Sequence, residues 1–242
     1  MKCLIFAAGL GTRLRPLTDT MPKALVPIAG RPLLAHTIDR LKAEGATEIV
    51  VNTHHFAEQV EAYLTTHDFD IPIHISNERE QLLDTGGGLR QALQLFTDQE
   101  APVLIHNVDI FSNAPLRQFY EKNVDTDATL MVSHRNSNRQ LYFDNKQNLV
   151  GWKNLDTQEV RPQSAIIDDT LTSYAFSGIH LVSPRLLSEL NTFPKKFSIM
   201  DFYLSVCQRL AIKGYPCNNL QLLDVGKSDS IAQAETFLLS LQ

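Results

Sequence analysis

The sequence predicts a doubly wound α/β fold, a Rossmann-like, mostly parallel mixed sheet with helices on both faces. Three observations carry that reading. Short apolar runs alternate with segments of helical periodicity through the first half of the chain, the first run ends in a glycine-rich turn, and two aspartates stand just beyond later runs. Strands that alternate with helices need crossover connections, which leave neighbouring strands parallel and both faces of the sheet covered.

The elements follow in order. Lys2 to Ala8 reads as a buried strand, and Gly9 and Gly11 follow as a turn. Between Arg31 and Glu44, Leu33, Leu34, Ile38 and Leu41 recur at helical spacing, with Gly45 where a helix C-terminus favours a left-handed residue. Glu48 to Asn52 is the next strand, Phe56, Val60, Tyr63 and Leu64 mark a second helix, and Ile71 to Ile75 alternates as a strand does. Leu83-Asp84-Thr85-Gly86-Gly87-Gly88 opens a helix through Leu89, Ala92, Leu93 and Phe96, and Pro102 to His106 is a central strand ending at Asn107-Val108-Asp109. Pro115 to Val124 is helical and Ala128 to His134 extended. Leu141 to Phe143 and Leu149 to Trp152 flank the turn-rich Asp144 to Asn148 as a hairpin, and Lys153 to Thr172 is a long connection. Tyr174 to Val182 returns to the sheet, helices follow at Pro184 to Leu190 and Ile199 to Leu210, and Asn219 to Val225 is a last strand before a helix from Ser228.

Length and composition bound the function. Residues 1–242 suit a single domain with one sizeable core. A content of 43% hydrophobic and 20% charged residues describes a soluble protein, and a net charge of −5 argues against a polyanion-binding surface, so no nucleic-acid partner is expected. No apolar run approaches the roughly 20 residues of a membrane span, so no membrane partner is expected either. Cys3, Cys207 and Cys217 have no zinc or redox spacing, and their odd number suits a reducing, cytoplasmic setting. Of eight histidines only His54 and His55 are adjacent, which offers no helical metal pair. Lys2 to Leu10 superficially resembles a signal peptide, but cleavage would remove half of the glycine turn, so the segment is read as the first strand.

The chemistry concentrates in Phe6-Ala7-Ala8-Gly9-Leu10-Gly11-Thr12-Arg13-Leu14-Arg15-Pro16-Leu17-Thr18 and the following Pro22-Lys23. Glycines let backbone N–H groups approach an anion, and Arg13, Arg15 and Lys23 add positive charge. A Walker loop would need Lys-Ser or Lys-Thr directly after its last glycine, and a dinucleotide fingerprint would need a third glycine where Leu14 stands. Neither fits. The stretch resembles the signature of the sugar-1-phosphate nucleotidyltransferases, G-x-G-T-R-x-x-P-L-T with a downstream P-K, which hold the triphosphate of an incoming nucleotide.

The resemblance spans Met1 to about Glu235 and implies the nucleotide-diphospho-sugar transferase fold without a C-terminal β-helix domain. It implies that Ala8, Gly9, Gly11 and Thr12 cradle the nucleotide, with Arg13, Lys23 and Asp109 catalytic. Asn107-Val108-Asp109 aligns with the family's N-G-D turn and Asp224-Val225-Gly226-Lys227 with its D-V-G-T segment, which implies Mg²⁺ on Asp109 and Asp224. Val108 and Lys227 depart from the usual glycine and threonine. Leu83 to Gly87 aligns with an L-x-T-G-G element that places Thr85, Gly86 and Gly87 against the base; read from residues alone, the glycines are equally a tight helix entry. Phe176-Ser177-Gly178-Ile179 aligns with a strand bordering the sugar pocket, which implicates Ser177 and Gly178 beside Asn107, the alternative being a core strand with a glycine bulge. Lys153 resembles in position a lysine set against the sugar phosphate, although a lysine after a hairpin is also an ordinary solvated residue.

The implied reaction joins a nucleoside triphosphate to a sugar 1-phosphate and releases pyrophosphate. Within the family the chain resembles the compact N-acetylmuramate-1-phosphate uridylyltransferases of cell-wall recycling, so UTP is expected first. Mannose-1-phosphate guanylyltransferase is the runner-up, and a cytidylyltransferase of choline-type phosphates shares the cradle. A non-catalytic nucleotide-sugar sensor would have lost the aspartates or the cations, and all four are present. A metal-dependent glycosyltransferase would carry D-x-D, which Asp125-Thr126-Asp127 matches only between a helix and a strand. The expected assembly is a monomer or small homo-oligomer.

Overall fold

The computed structural model describes residues 1–226 and 230–240; Lys227 and the expected helix start at Ser228 lie outside the described residues. The first strand, β1 (Lys2–Phe6), is followed by a loop, the short pair β2 (Pro27–Ile28) and β3 (Arg31–Pro32), and α1 (Leu33–Ala43). Next come β4 (Glu48–Thr53), α2 (Ala57–Thr66), β5 (Ile73–Asn77), α3 (Asp84–Leu93) and β6 (Val103–Asn107). β1 pairs in parallel with β4 on one side and β6 on the other, and β4 with β5, as the strand–helix alternation requires.

Both faces of these strands are buried, and the alternation of side chains divides them between two cores. Cys3 and Ile5 of β1, Ile49 and Val51 of β4 and Leu104 of β6 face the layer containing α1. Leu4, Val50, Val103 and Ile105 face the layer containing α3. Continuous apolar runs in the sequence are therefore strands covered twice, not strands with one wet face.

Regularity ends after β6. β7 (Ile110–Ser112) leaves the main sheet, α4 (Leu116–Lys122) follows, and β8 (Ala128–Ser133), β9 (Arg139–Phe143), β10 (Leu149–Asn154) and the brief β11 (Val160–Arg161) precede the long β12 (Thr172–Val182). β12 runs antiparallel to β6, β8 and β9, so one strand joins the parallel half to the antiparallel extension. Helices α5 (Leu187–Leu190) and α6 (Ile199–Val206) lead to β13 (Ile212–Pro216), β14 (Leu222–Asp224) and α7 (Ser230–Ser240). Among the described residues the main sheet has ten strands, with β11-β10-β9-β12-β6-β1-β4-β5 along its spine, β8 branching from β12 and β13 pairing with β8.

Several expectations need correction. The long connection after Lys153 contains β11, which pairs with β10, and Ile212–Pro216 is a strand parallel to β8. The expected strand Asn219 to Val225 contracts to β14, which pairs with β7 and not with the main sheet. Asp127 of the D-x-D match sits in the loop before β8, where its carboxylate accepts a hydrogen bond from the N–H of Ala211 at 2.9 Å. No described helix is long and apolar enough to cross a membrane.

Candidate active site

The chain runs from β1 outward to β4 and β5 and then returns to β6 on the opposite side of β1. That reversal opens a crevice beyond the carboxyl end of β1, the place where open α/β sheets bind ligands. Ala7, Ala8 and Gly9 emerge there. β1 ends at Phe6, earlier than the apolar run predicts, because the N–H groups of Ala7 and Ala8 turn to the Asn52 side chain, at 2.7 and 3.2 Å.

The glycine turn is held by its own neighbours. Gly11 has φ +64, and a Cβ on it would lie 2.8 Å from Cγ2 of Thr18. The Thr18 hydroxyl donates to the Gly11 carbonyl at 2.8 Å, and Leu14 N–H donates to the same oxygen at 2.8 Å. A Cβ on Gly9 would meet nothing within 4 Å, so this residue opens directly onto the cleft. Thr12 and Arg13 lie exposed in a 3-10 turn.

Opposite the turn, Lys23 Nζ donates to Asp109 Oδ2 in a pair that is largely buried. Asp109 follows β6 in the turn to β7, and the β7–β14 ladder sets Asp224 against Ile110 while Val225 N–H donates to the Asp109 carbonyl at 2.8 Å. Two aspartates far apart in sequence are thereby brought side by side. Partial burial first, and the Asp109 carboxylate second, push the Asp224 carboxyl above its ordinary range, against the pull of Lys23 and Arg13. Arg13 Nη2 lies 3.8 Å from Asp224 Oδ2, and a Cβ on Gly226 would come within 2.6 Å of that guanidinium. Val108, where a glycine was expected, has no positive φ and packs its side chain into the core, so the turn tolerates it.

The crevice has two connected parts. A smaller one, about 240 Å³, is lined by Ala7, Ala8, Gly9, Lys23, Asn52 and Glu78 with Thr85, Asn107 and Asp109. A larger one, about 570 Å³, lies over β9, β10 and the start of α6, and shares Phe6, Thr85 and Asn107 with the first. Asn107 depends on Gly178, whose φ is +79 and whose Cβ would lie 2.8 Å from Asn107 Nδ2. Thr85 accepts a hydrogen bond from Ile199 N–H at 2.9 Å and so ties α3 to α6 at the junction.

Other expected contacts fall elsewhere. Gly86 and Gly87 do not line either part: the N–H of Gly86 donates to the Phe197 carbonyl at 2.9 Å, and a Cβ on Gly87 would lie 2.5 Å from the Lys195 carbonyl oxygen. These glycines let α3 pack closely, the helix-entry alternative. Ser177 is buried, donating to the Met131 carbonyl at 2.8 Å, so it braces the bulge in β12 without reaching the cleft. Lys153 does not line the cleft either: Trp152 and Asn154 do, and strand alternation turns the residue between them the other way.

The basic groups of the larger part are Arg135, Arg139 and Arg161, which sequence reasoning missed. Arg161 donates to Glu159 at 2.7 Å and Asp201 at 3.1 Å and lies over the Trp152 ring, so two carboxylates match its charge. Among the described residues Arg135 donates only to the Phe176 carbonyl, at 2.8 Å, and the Arg139 guanidinium has no hydrogen-bond or ion-pair partner. His180, beneath this part, is lowered by burial to about 3 and is therefore neutral near pH 7.

Residues 2–143 match the family model described as nucleotidyl transferase. The N-acetylmuramate alpha-1-phosphate uridylyltransferase of Caulobacter vibrioides is 49% identical over 109 residues, 44% of each chain. The protein of the same name from Neisseria meningitidis serogroup B is 33% identical over 188 residues, 77% of each chain. Mannose-1-phosphate guanyltransferase of Gibberella zeae is 36% identical over 137 residues, 55% of this chain and 37% of that one. This chain thus spans less than half the length of the Caulobacter and Gibberella relatives it matches. In fold alone, the inositol-1-phosphate CTP transferase of T. maritima superposes with a TM-score of 0.78 at 13% identity, over 99% of this chain and 95% of that one.

Proposed function

Because this chain belongs to the nucleotidyl transferase family, we propose that it joins a nucleoside triphosphate to a sugar 1-phosphate, with UTP and N-acetylmuramate 1-phosphate as the favoured pair. The observation that carries the reading is the meeting of the glycine turn, Arg13, Lys23, Asp109 and Asp224 at the mouth of a cleft with two connected parts.

In this reading the smaller part takes the nucleotide and the larger part the sugar. A sugar phosphate oxygen attacks the α-phosphorus, a new P–O bond forms there, and the bond from the α-phosphorus to the bridging oxygen breaks to release pyrophosphate. The nucleophile is already anionic, so no general base is needed, and the neutral His180 is not asked to act as one. The protein aligns two anions and offsets the charge that accumulates between them. Lys23 exchanges Asp109 for the α-phosphate, Arg13 draws the outer phosphates, and Gly9 and Gly11 leave room for the chain of phosphates.

Asp109 and Asp224 fit Mg²⁺: both are hard oxygen donors, and the upward push of one carboxyl by the other is the repulsion a cation relieves. Among the described residues no cluster of three metal-ligating side chains occurs, so phosphate oxygens and water would complete the shell. Bound there, Mg²⁺ would neutralise charge on the α-phosphate and the departing pyrophosphate.

Relatives with both sugars in their names leave the substrate to the site itself. N-acetylmuramate carries a carboxylate that mannose lacks, and the guanidinium groups of Arg135 and Arg139 are not matched by carboxylates within the larger part. Pyrophosphate release with Mg²⁺, scanned over UTP, GTP, dTTP, CTP and ATP against N-acetylmuramate and mannose 1-phosphates, tests the reading. Release only with UTP and N-acetylmuramate 1-phosphate supports it in full. Release with GTP and mannose 1-phosphate replaces the substrates, and nucleotide-sugar binding without any release replaces catalysis by sensing.

A further inference from the structure

The smaller part of the cleft contains a polar pair that no step above uses. Asn52, at the end of β4, and Glu78, after β5, are each only 3% exposed and both line the cleft. Asn52 Oδ1 accepts from Ala7 N–H at 2.7 Å and Ala8 N–H at 3.2 Å, while its Nδ2 donates to Glu78 Oε1 at 2.7 Å. Glu78 Oε2 accepts from Leu83 N–H at 2.9 Å. Two side chains thus satisfy backbone donors from two different segments of the cleft wall. The orientation of the amide is forced, since turning it over would set NH₂ against two N–H donors and its oxygen against a carboxylate.

The helix above has adapted to this pair. A Cβ on Gly88 would lie 2.7 Å from Glu78 Oε1 and 3.0 Å from Asn52 Nδ2, so glycine there lets α3 close over it. A buried carboxylate is costly unless hydrogen bonds hold it, and burial does raise the Glu78 carboxyl against the opposing Leu83 and Asn52 bonds. Cleft-lining position, fixed amide orientation and the grip on the Ala7–Ala8 peptide together mark a positioning device.

We propose that Asn52 and Glu78 are positioning residues for the nucleotide, holding the Ala7–Ala8 peptide and the entry to the glycine turn in the orientation that accepts a nucleoside triphosphate. The inference rests on the functional reading above. It makes a specific demand: the pair must present one acceptor face to Ala7 and Ala8, one to Leu83, and a donor–acceptor match between its members. Asn52→Asp sets two carboxylates against each other, and Glu78→Gln leaves one oxygen for two donors. Both changes together restore every match, with Gln Nε2 donating to the new carboxylate and Gln Oε1 accepting from Leu83.

The test is nucleotide binding to the whole protein by calorimetry, without sugar phosphate, from pH 5.5 to 8.5, for wild type, both single variants and the double, using whichever of UTP, GTP, dTTP, CTP and ATP wild type binds most tightly. His54, whose ring bonds to the Glu78 carbonyl, faces the pair, as do Asp84 from α3, Arg79 and Glu80 from the adjoining segment, Lys195 beside it and Lys23 and Asp109 across the cleft. All are common to the four proteins. Asn52→Asp is expected to bind about tenfold or more weakly at pH 8 and to recover toward pH 5.5, as one proton comes to be shared between the carboxylates. Glu78→Gln is expected to be weak throughout, and the double variant to return within about threefold of wild type with no added pH dependence. An Asn52→Asp profile parallel to wild type, or a double variant that fails to fold or binds no better than the single variants, overturns the inference alone. A wild type that binds none of the five nucleoside triphosphates overturns the functional reading and the inference with it.

Discussion

Lys23 and Asp109 are ion-paired across the mouth of the cleft, with side-chain exposures of only 12% and 15%. Each therefore already has a partner, and in the proposed reaction each has to change partner when the triphosphate enters. Lys23→Met is expected to lower kcat by about 10²–10³, the usual cost of losing one charge-stabilising group. With Asp109 released, Mn²⁺ should bind the nucleotide-free variant more tightly than wild type, as read by electron paramagnetic resonance. Equal Mn²⁺ affinity would show that the pair does not hold the carboxylate back.

Asp224 carries a stability cost that is separable from its role. Its carboxyl is raised in the folded protein, so the native state gains a proton at higher pH than the unfolded chain does. The charged form is therefore disfavoured by folding above that raised value, and the penalty disappears as pH falls below the ordinary carboxylate range. Asp224→Asn should melt at a higher temperature than wild type at pH 7, and the gap should close on acidification to pH 3. The same variant should lose nearly all turnover. A lower melting temperature at pH 7 would contradict the sign.

Gly178→Ala meets two obstacles, a φ of +79 and the Asn107 amide 2.8 Å from the new Cβ. Strain of this kind costs about 1–3 kcal/mol, measurable by urea unfolding. Because Asn107 stands at the junction of the two parts of the cleft, KM should rise for both substrates. A loss confined to stability would remove Asn107 from the binding surface.

Arg139→Ala separates the sugar candidates. The guanidinium lines the larger part without a described partner, so its removal should raise KM for N-acetylmuramate 1-phosphate at least tenfold and leave N-acetylglucosamine 1-phosphate within threefold, about 0.7 kcal/mol or more of discrimination. The melting temperature should hold. Equal losses for both sugars would make Arg139 a phosphate contact.

The parallel half of the fold was legible because Leu4, Val50 and Ile105 belong to strands buried on both faces, whose apolar runs stand out against helical spacing. Ile212–Pro216 and Val160–Arg161 were missed because one follows closely on a helix and the other lies among polar residues, and each exists through pairing with a distant strand. At the site, the glycine turn and the two aspartates announced themselves by local pattern. Asn52, Glu78, Arg135 and Arg139 did not, since single polar residues acquire a meaning only when β4, β5 and β9 carry them to one crevice. Lys153 shows the converse: strand alternation decided its direction, and Trp152 and Asn154 took the cleft instead.

The short ladder between β7 and β14 also decides whether the two carboxylates meet at all. Asp224 is set beside Asp109 by the pairing of Leu222 with Ser112, Leu223 with Phe111 and Asp224 with Ile110, and by the Val225–Asp109 hydrogen bond, so a change that frays this ladder parts the two carboxylates without touching either.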